Sequence, residues 1–533
     1  MTAKMFGRLG LETWSLAMYA RSGGLRLIPP GRVAWVLRAL DRYGLLGAAT
    51  VIAAARDRDG LALIDERGPL TFGELDERTN ALANEWRRRG LGPGASVGIL
   101  AGNHRGFLEA VYGAAKCGAG VLLLNTGFGG AQLAEMLSRE GADLLVYDDE
   151  YAGIVANARP RLGRIRAWAQ SPGPDTLDAL IESGDPGPPP RSGGRPKIVI
   201  STSGTTGVPK GALRSEPYSL IPVGGLLGKV PLRGREVTEC CVPLFHSMGF
   251  SHAMYAMVLG STLVVRRHFD AEQALDSVAT HRASAMIVVP IMLRRILDLG
   301  ASALAEHDLS SLRIVFVGGS QLRAALATRA LEALGPVVYN MYGSTEVAYA
   351  TIATPADLAV EPGCVGAVVP GSVVKIFAGD REAPPGTPGR IFVGNVLAFE
   401  GYTGGGTKES IRGLMSTGDI GHFDAAGRLF IDGRDDEMIV SGGENVYPGE
   451  VEEALAHHPD ILDVAVVGVS DDEFGQRLRS YIVVRPGASL TESDVKDYIR
   501  NRLARFKVPR DVLFVDELPR NAGGKVLKRL LGV

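Results

Sequence analysis

A segment rich in glycine and hydroxyl side chains, with one lysine, is the part of the sequence best suited to chemistry. It reads Ser201-Thr202-Ser203-Gly204-Thr205-Thr206-Gly207-Val208-Pro209-Lys210-Gly211 and follows the apolar residues 198–200. The apolar residues predict a buried strand, and the glycines and proline predict a loop after it. Glycines let backbone N–H groups converge on a ligand, and the hydroxyls and lysine add donors and positive charge. The segment therefore predicts a polyphosphate-binding loop rather than a flexible linker, with a spacing unlike that of the common P-loop.

A second group of chemically useful residues is Asn340-Met341-Tyr342-Gly343-Ser344-Thr345-Glu346. The ring of Tyr342 can stack on a purine, and the hydroxyl of Thr345 can donate to an α-phosphate. The carboxylate of Glu346 is a hard oxygen ligand suited to Mg²⁺ beside phosphates. Further along, the guanidinium of Arg434 offers a fixed fork of donors to ribose and phosphate.

The carboxy-terminal segment 518–529 contains Ala522-Gly523-Gly524-Lys525 and then Lys528-Arg529. A lysine carried on a glycine turn is mobile and can be delivered to a distant site. A solvated basic tail describes Lys528 and Arg529 well, but it does not explain the two glycines before Lys525.

In this order, the segments resemble the adenylate-forming superfamily, which contains acyl-CoA synthetases, peptide-synthetase adenylation domains and beetle luciferases. Seven separated motifs match, between about residues 60 and 530. The chain looks most like a bacterial fatty-acyl-CoA synthetase. The resemblance implies an ATP-dependent carboxylic acid–CoA ligase that forms an acyl-adenylate, releases pyrophosphate and AMP, and makes the thioester. It also implies ATP, Mg²⁺ and coenzyme A as cofactors.

The resemblance also assigns roles to residues of this sequence. The catalytic residues are Lys525, Glu346, Thr345 and Arg434, with Glu346 as the metal ligand and Asp436 as the hinge between domains. The nucleotide- and cofactor-binding residues are Thr202, Ser203, Gly204, Thr205, Thr206, Gly207, Lys210, Gly318, Gly319, Ser320, Asn340, Met341, Tyr342, Gly343, Ser344, Asp419, Gly442 and Gly443. Among these, Asp419 accepts from the ribose hydroxyls, and Gly442 and Gly443 face the pantetheine channel.

The carboxylic-acid pocket is assigned in the same way to His246, Ser247, Phe250, Gly319 and Met341. His246 borders the pocket without transferring a proton. Amino-acid-activating relatives carry an aspartate at this turn, and this chain has Phe245-His246-Ser247, so burying a substrate ammonium here would be costly. Many relatives have glycine where this chain has Met341, which leaves the acyl chain length open.

Several alternatives remain open from the sequence. The acyl group could pass to a separate carrier protein instead of CoA, and the acid could be aryl or a sterol side chain instead of a fatty acid. The missing aspartate disfavours a peptide-synthetase module. A luciferase-like monooxygenase would share the adenylation motifs, and a non-catalytic binding protein is disfavoured because Lys525, Glu346 and Asp419 are all present.

Composition narrows the class of protein. The chain has 533 residues and 46% hydrophobic content, which predicts two or more domains, and its net charge of −2 gives no electrostatic case for nucleic acid. Four cysteines without metal-ligand spacing and no long apolar segment predict a cytoplasmic protein. Residues 11–46 are basic and amphipathic, which favours helices packed on the large domain, with peripheral membrane contact as the alternative. The oligomeric state is not predicted.

Short apolar runs alternate with helical stretches from residue 61 onward, as at 71–89 and 106–117. This alternation predicts an α/β fold with stacked mixed or parallel sheets covered by helices. The last ~95 residues have the size of a small α+β domain, which the resemblance implies is mobile. The predicted division is an N-terminal extension at 1–46, an adenylation domain at 47–434 and a lid at 435–533. Residues 171–196 are predicted to be a surface connection with little core, and residues 492–505 a helix.

Overall fold

The computed structural model describes residues 2–24, 30–202, 210–216, 218–437, 439–441, 444–471 and 475–531. The fold is mixed α/β, with a large N-terminal domain and a small C-terminal domain, which confirms the predicted class. Its helices are α1 (Thr2–Arg21), α2 (Pro30–Arg56), α3 (Phe72–Arg88), α4 (Arg105–Cys117), α5 (Gly130–Glu140), α6 (Leu177–Ser183), α7 (Ile221–Leu227), α8 (Ser247–Leu259), α9 (Ala271–His281), α10 (Pro290–Asp298), α11 (Gly300–Glu306), α12 (Ala324–Leu334), α13 (Pro355–Val360), α14 (Pro448–Ala456) and α15 (Glu492–Arg500).

The strands are β1 (Leu61–Asp65), β2 (Gly68–Thr71), β3 (Ser96–Leu100), β4 (Gly120–Leu123), β5 (Leu144–Tyr147), β6 (Arg164–Arg166), β7 (Ile198–Thr202), β8 (Lys210–Arg214), β9 (Val237–Cys240), β10 (Thr262–Val265), β11 (Ala285–Val288), β12 (Ile314–Val317), β13 (Val338–Ser344), β14 (Ala348–Ala353), β15 (Ala367–Val368), β16 (Val373–Ala378), β17 (Arg381–Glu382), β18 (Gly389–Gly394), β19 (Gly401–Tyr402), β20 (Ser410–Ile411), β21 (Leu414–Phe423), β22 (Leu429–Arg434), β23 (Ile439–Ser441), β24 (Glu444–Val446), β25 (Ile461–Asp471), β26 (Gly475–Val484) and β27 (Asp511–Phe514).

Four sheets organise these strands. A nine-stranded sheet has the order β15-β14-β13-β12-β11-β9-β10-β1-β2, and a seven-stranded sheet has the order β19-β8-β7-β4-β3-β5-β6. An antiparallel six-stranded sheet, β17-β16-β18-β21-β20 with β22 on β21, completes the large domain. The small domain has β24-β23-β26-β25 with β27 beside β26. The two large sheets are parallel at their centres, as the alternation of strands and helices predicts.

Strands β11 and β12 show why the predicted site residues that follow them lie at one edge of the nine-stranded sheet. Both are buried along their whole length and pair in parallel, so their carboxyl ends meet at the same edge of the nine-stranded sheet. Val289-Pro290 follows β11 there, and Gly318-Gly319 follows β12. Open α/β sheets bind ligands at this edge. The two strands and their terminal turns are as the sequence predicts.

Local chemistry explains the helices predicted near residues 71–89 and 106–117. Thr71 caps α3 through the Glu74 N–H, while the Glu74 carboxylate accepts from the Thr71 N–H, which forms a capping box. Helix α4 ends at Gly118, whose φ of 76° lies in the left-handed region that glycine adopts without strain. Both helices are therefore confirmed, with ends within one residue of the prediction.

Two predicted segments were wrong in part. Residues 171–196 contain α6, which buries Leu177, Leu180 and Ile181 on α3, so this connection does contribute to the core. Its seven residues are too few for a helical period to stand out among glycines and prolines. The helix predicted at 492–505 ends at Arg500, and a short 3₁₀ turn follows at Arg505–Lys507.

The first helices pack on the large domain. Helix α1 lies against α7, where the Leu220 N–H donates to the Glu12 carboxylate over 2.9 Å. Helix α2 kinks at Gly44, whose φ is 71°, and Arg32 then reaches the Ala55 carbonyl at 2.9 Å, so the two halves fold back on each other. Across the described ranges, no helix combines the length and apolar character needed to cross a bilayer.

Candidate active site

The turn between β13 and β14 presents Thr345 and Glu346 at the edge of the nine-stranded sheet. Glycine is required beside this turn, because a Cβ on Gly343 would lie 1.8 Å from the Ala348 carbonyl oxygen. Ala348 itself has a φ of 57°, so the chain reverses tightly here. Below the turn, Asn340 donates to the Cys364 carbonyl at 3.3 Å and stays buried. The strand and the tight return together fix where Glu346 points.

The Glu346 carboxylate is held by two hydroxyl groups. Tyr402 donates to Oε1 at 2.8 Å, and Ser344 donates to Oε2 at 2.9 Å. Burial and then the Glu346 charge raise the pKa of Tyr402 above its usual value, so the phenol keeps its proton. Each carboxylate oxygen retains a lone pair beyond these bonds.

Lys210 lies next to the same tyrosine. Its Nζ is 5.1 Å from the centroid of the Tyr402 ring, within the range of a cation–π contact. Lys210 begins β8, and Tyr402 in β19 pairs with Ala212 of that strand. The short β19 strand therefore brings Lys210, at the end of the glycine-rich segment, towards the Glu346 turn.

A partly buried arginine supports the turn from below. Arg214, at the end of β8, donates from Nη2 to the Thr345 carbonyl. Burial lowers the pKa of Arg214 to about 10, with the Glu346 charge opposing that shift. The group therefore remains a cation at neutral pH, close to the residues assigned to the phosphates.

The predicted ribose carboxylate, Asp419, lies between two groups from the predicted site. The Tyr342 hydroxyl donates to Asp419 Oδ2 at 2.5 Å, and Arg434 Nη1 is 3.0 Å from Oδ1. Asp419 and Arg434 are register partners on β21 and β22. Burial and then the Asp419 charge raise the pKa of Tyr342 well above its usual value. The structure therefore joins β13 to the β21–β22 hairpin through this carboxylate.

The residues assigned to the acid pocket lie along the start of α8 and the end of β12. His246 caps α8, and Ser247 is the first residue of the helix, with Phe250 buried in its first turn. Burial lowers the pKa of His246 to about 4, so the ring is neutral at pH 7 and is not a strong proton donor.

Two methionines lie at the mouth of this pocket. A Cβ on Gly318 would lie 2.9 Å from Met248 Sδ and 3.1 Å from Met341 Cε. Gly319 follows with a φ of 84°, a conformation that L side chains rarely adopt, and Ser320 continues the turn. The two methionines thus lie close to Gly318, and Val289 lies beside Gly319.

The tip of the small domain reaches this same place. Asn521 closes the turn that carries Lys525: its Oδ1 accepts from the Lys525 N–H at 2.8 Å, and its N–H donates to the Lys525 carbonyl at 2.9 Å. A Cβ on Gly523 would lie 3.1 Å from His246 Nε2, and one on Gly524 would lie 2.4 Å from Ile291 Cγ2. The exposed Lys525 is therefore carried on a turn that packs against the pocket mouth.

Two buried carboxylates of the small domain bind cations from both domains. Glu452 lies 3.3 Å from Arg323 of the large domain and 2.9 Å from Lys528. Asp463 lies 3.3 Å from Arg294 of the large domain and 2.5 Å from Arg520.

The surrounding bonds strengthen this interface. Arg294 also donates to the Leu462 carbonyl at 2.9 Å, and Arg323 to the Val464 carbonyl at 3.0 Å. Burial pushes the pKa of Glu452 up, but Lys528 and Arg323 hold it below its usual value. We call Arg294, Arg323, Glu452, Asp463, Arg520 and Lys528 the interface cluster.

The description of Lys528 as a solvated tail residue was wrong. Its ammonium also lies 2.8 Å from Glu437, and its side chain is 24% exposed. Two carboxylates separated from it by more than 70 residues attract it to the interface, which its local sequence does not reveal. Arg529, in contrast, is exposed as predicted.

Some assigned residues lie outside the described part of the chain. These are Ser203, Gly204, Thr205, Thr206, Gly207, Gly442 and Gly443, together with the side chains of Thr202 and Asp436. The backbone of Thr202 ends β7, where its register partner is Lys210, and that of Asp436 lies in a short 3₁₀ turn just after β22. The strand predicted before the loop is thus present.

Sequence reasoning missed Tyr402 and Arg214. Tyr402 stands in an isolated Gly-Tyr pair, and nothing in its spacing links it to Glu346. Arg214 could have been noticed, because it lies four residues after Lys210 in a strand, and residues separated by an even number share a face. An arginine that shares a strand face with a lysine of a predicted site is itself a candidate site residue.

Known proteins resemble this chain along most of its length. The AMP-binding enzyme family matches residues 51–403, and the AMP-binding enzyme C-terminal domain matches residues 450–525. The chain is 33% identical to the 2-succinylbenzoate–CoA ligase of Geobacillus kaustophilus, covering 88% of this chain and 94% of that one. It is 30% identical to the fatty acid–[acyl-carrier-protein] ligase ScoC of Streptomyces coeruleorubidus, covering 88% and 92%. The ATP-bound structure of MatB from Rhodopseudomonas palustris superposes with a TM-score of 0.81 at 26% identity, covering 91% and 98%.

Proposed function

The chain belongs to the AMP-binding enzyme family, and on that premise we propose how its residues activate a carboxylic acid and what kind of acid it takes. It is an AMP-forming acid–CoA ligase, which joins an acid to ATP as an acyl-adenylate, releases pyrophosphate, and then transfers the acyl group to CoA. The observation that carries the residue assignments is the position of the Lys525 turn against His246, at the mouth of the pocket that adjoins the Glu346 turn.

The adenylation step is a problem of charge and alignment. A carboxylate must attack the α-phosphorus of a polyanion, so cations must offset the charge and the reacting atoms must be held in line. We assign Lys210 to the terminal phosphates and Lys525 to the oxygens of the acid and the α-phosphate. The acid is already ionised at neutral pH, so no general base is needed. The neutral His246 is consistent with that, because it borders the pocket without taking a proton.

The donor set around Glu346 fits Mg²⁺. Mg²⁺ in nucleotide sites binds one or two carboxylates and takes its other ligands from phosphate and water. Glu346 supplies one such carboxylate, oriented by Tyr402 and Ser344, and the described residues contain no cluster of three or more His, Cys, Asp or Glu side chains that could form a closed metal site. When bound there, the ion would supply charge neutralisation to the phosphates.

Nucleotide recognition is assigned to the joint between β13 and the β21–β22 hairpin. Asp419 would exchange its bond with Tyr342 for the ribose hydroxyls, and Arg434 would keep the carboxylate charged and in place. Tyr342, released from Asp419, would then be free to stack on the adenine ring.

The second half-reaction requires that Lys525 leave. We propose that the small domain, residues 435–533, rotates about Asp436, which withdraws the lysine turn and brings Gly442 and Gly443 to the pocket mouth for the thiol. The interface cluster supports this proposal, because its contacts between the domains are ion pairs. Water can solvate the charged groups when the domains separate. An interface of this kind can be rearranged more readily than an apolar one.

The acid is proposed to have an apolar body, because Met248 and Met341 lie at the entry beside Gly318. Fatty, aryl and sterol side-chain acids share that property. A screen of carboxylic acids for AMP release that depends on CoA tests this proposal. Turnover of amino acids in preference to all of these acids would contradict it.

A second candidate acceptor is an acyl carrier protein. It is favoured by the 30% identical relative, which is a fatty acid–[acyl-carrier-protein] ligase. Comparing CoA with phosphopantetheinylated carrier protein at equal concentration and with one acid decides between them. Thioester on the carrier protein alone would favour the second candidate.

Peripheral membrane contact through residues 11–46 remains a proposal. Leu16, Val33 and Leu37 are 44%, 42% and 61% exposed, and Arg38 is exposed beside the last two. Apolar and basic groups on one surface suit an anionic bilayer. Co-sedimentation with anionic vesicles should fall for Leu37→Glu, and equal sedimentation of both proteins would contradict the proposal.

A further inference from the structure

His252 carries a buried nitrogen that no described residue satisfies. It lies on α8, six residues after His246, and its side chain is fully enclosed. Nδ1 is 2.8 Å from the Met248 carbonyl, which can only accept, so Nδ1 carries the proton. Burial lowers the pKa of His252 to about 4, and the ring therefore holds a single proton at neutral pH. Nε2 is then a bare acceptor, and no described group donates to it.

This nitrogen lies in the same wall as the acid pocket. Met248 and His252 are four residues apart and share a face of α8, while Phe316 and Gly318 are two apart and share a face of β12. Met248 contacts the Gly318 position, and the His252 ring lies 4.6 Å from the Phe316 ring, centroid to centroid. The helix and strand therefore run side by side from the pocket mouth inward, and His252 is the next group beyond the methionines.

The space beyond His252 contains polar as well as apolar side chains. A small cavity there is lined by His252, by the hydroxyl-bearing side chains of Thr238, Tyr255, Ser261 and Ser284, by the charged Arg233 and Glu236, and by the apolar Leu232, Ala256 and Leu259. A purely apolar acyl chain would leave the buried Nε2 acceptor without a hydrogen bond, which costs free energy. Unsatisfied buried polar groups are rare in native proteins. Something with a hydrogen-bond donor is needed to satisfy it.

We propose that the acid activated by this enzyme carries a hydroxyl group that donates to His252 Nε2. The inference rests on the proposed function, since it identifies the substrate class of that site. Six residues of helix separate His246 from His252, a rise of about 9 Å. The hydroxyl should therefore lie about that far from the carboxylate carbon, which suits a hydroxyaryl acid with a short side chain.

The chemistry of the acceptor excludes close analogues. A keto oxygen, a methyl ether or a second carboxylate offers only lone pairs, which a bare nitrogen cannot bind. Met248 and Met341 have flexible thioether side chains, so they can move aside to admit the ring without strain in the backbone. Discrimination should thus depend on the donor and less on the size of the acid.

The first test compares three acids that differ only at the far end: 4-hydroxycinnamate, cinnamate and 4-methoxycinnamate. Sites built to bind a substrate hydroxyl reject analogues that lack it, so kcat/KM for CoA-dependent AMP release should be at least about tenfold higher with the hydroxy acid. Equal kcat/KM for the hydroxy acid and cinnamate would overturn the inference and leave the proposed function intact. If no carboxylic acid at all were turned over, the proposed function itself would fail.

The second test uses His252→Phe and His252→Gln. Phenylalanine removes the acceptor and keeps the ring, so the preference for the hydroxy acid should disappear while turnover of cinnamate persists. Glutamine keeps an acceptor oxygen and should preserve part of the preference. His457→Phe, at an exposed histidine of the small domain, is the control and should behave as the wild type.

The third test does not depend on a variant that folds. In wild-type protein with ¹⁵N-labelled histidine, the Nε2 resonance of His252 should shift when 4-hydroxycinnamate binds and should shift less with cinnamate. Identical spectra with both acids would mean that a bound water satisfies Nε2, and this result would overturn the inference.

Discussion

Replacing Arg294 and Arg323 by methionine should slow adenylation and leave thioester formation almost unchanged. Both arginines belong to the large domain and bind Asp463 and Glu452 of the small domain in the arrangement that seats the Lys525 turn at the pocket. Methionine keeps much of the length and apolar surface of each side chain but removes the charge. The substitution therefore weakens the closed arrangement without touching the atoms assigned to chemistry.

The size of the effect follows from the hydrogen bonds that each arginine makes across the interface. Each guanidinium makes one bond to a buried carboxylate and one to a backbone carbonyl. Hydrogen bonds involving a charged group are each worth about 1.5–3 kcal/mol. The lower value applies, because Asp463 and Glu452 keep Arg520 and Lys528 as partners. Two bonds of about 1.5 kcal/mol amount to about 3 kcal/mol per arginine, which corresponds to a loss of somewhat more than 100-fold, since 1.36 kcal/mol is one factor of ten.

The assay separates the half-reactions. Acid-dependent ATP–pyrophosphate exchange reports adenylation, and thioester formation from supplied acyl-adenylate and CoA reports the second step. Exchange should fall by about 100-fold or more in each single variant, and further in the double variant if the two sites act independently. Arg329→Met is the matched control, because Arg329 on α12 has its contacts, among the described residues, with Asp298 and the Leu297 carbonyl of its own domain. An equal loss in both half-reactions, or no loss in exchange, would refute the reasoning.

Two further predictions concern Glu346 and the pH dependence of stability. Tyr402→Phe should lower ATP–pyrophosphate exchange by about tenfold and raise the Mg²⁺ concentration needed for half-maximal rate, because it removes a hydrogen bond to the charged Glu346. Tyr349→Phe is the control and should not change the Mg²⁺ requirement, because the Tyr349 hydroxyl donates to a backbone carbonyl. A similar shift of the Mg²⁺ requirement in both variants would contradict the assignment of Glu346. Burial raises the pKa values of Asp463 and Glu452, but the neighbouring cations hold both below the ordinary values of 3.8 and 4.5. The two carboxylates therefore contribute their full stabilisation above those ordinary values, and this stabilisation is lost as the pH falls through their folded-state pKa values. Chemical denaturation should therefore show that the stability difference between wild type and an Asp463→Asn variant is constant from pH 5 to 7, within about 0.5 kcal/mol, and shrinks below about pH 3.8; a constant difference down to pH 2.5 would contradict this.

Elements whose signal is local could be predicted from the sequence. Strands β11 and β12 are unbroken apolar runs that end in proline or glycine turns, and α3 begins with its own capping box. The sequence signal for each element therefore lies within a few residues. Helix α6 was missed because its seven residues are too few to show a helical period and are flanked by glycines and prolines. Its contact with α3 stabilises it. Tertiary burial, which a local pattern does not contain, decided its structure.

The candidate site divides in the same way. Glu346 and Asp419 stand in short motifs with a clear chemical reading, and the structure places them near the partners Tyr402 and Arg434. Tyr402 could not be predicted, because it acts through a hydrogen bond to a residue 56 positions away. The same holds for Lys528, whose partners Glu437 and Glu452 lie in the hinge and in α14. The roles of the site residues in catalysis stay predictions until the variants are measured.

The central claim is that one lysine acts in the first half-reaction and is absent from the second. Lys525→Ala tests it directly, with Arg529→Ala as a control at an exposed basic residue of the same segment. The account predicts that ATP–pyrophosphate exchange falls by at least about 100-fold, while thioester formation from supplied acyl-adenylate and CoA stays close to the wild-type rate. A comparable fall in both half-reactions, or exchange that survives without the lysine, would contradict it.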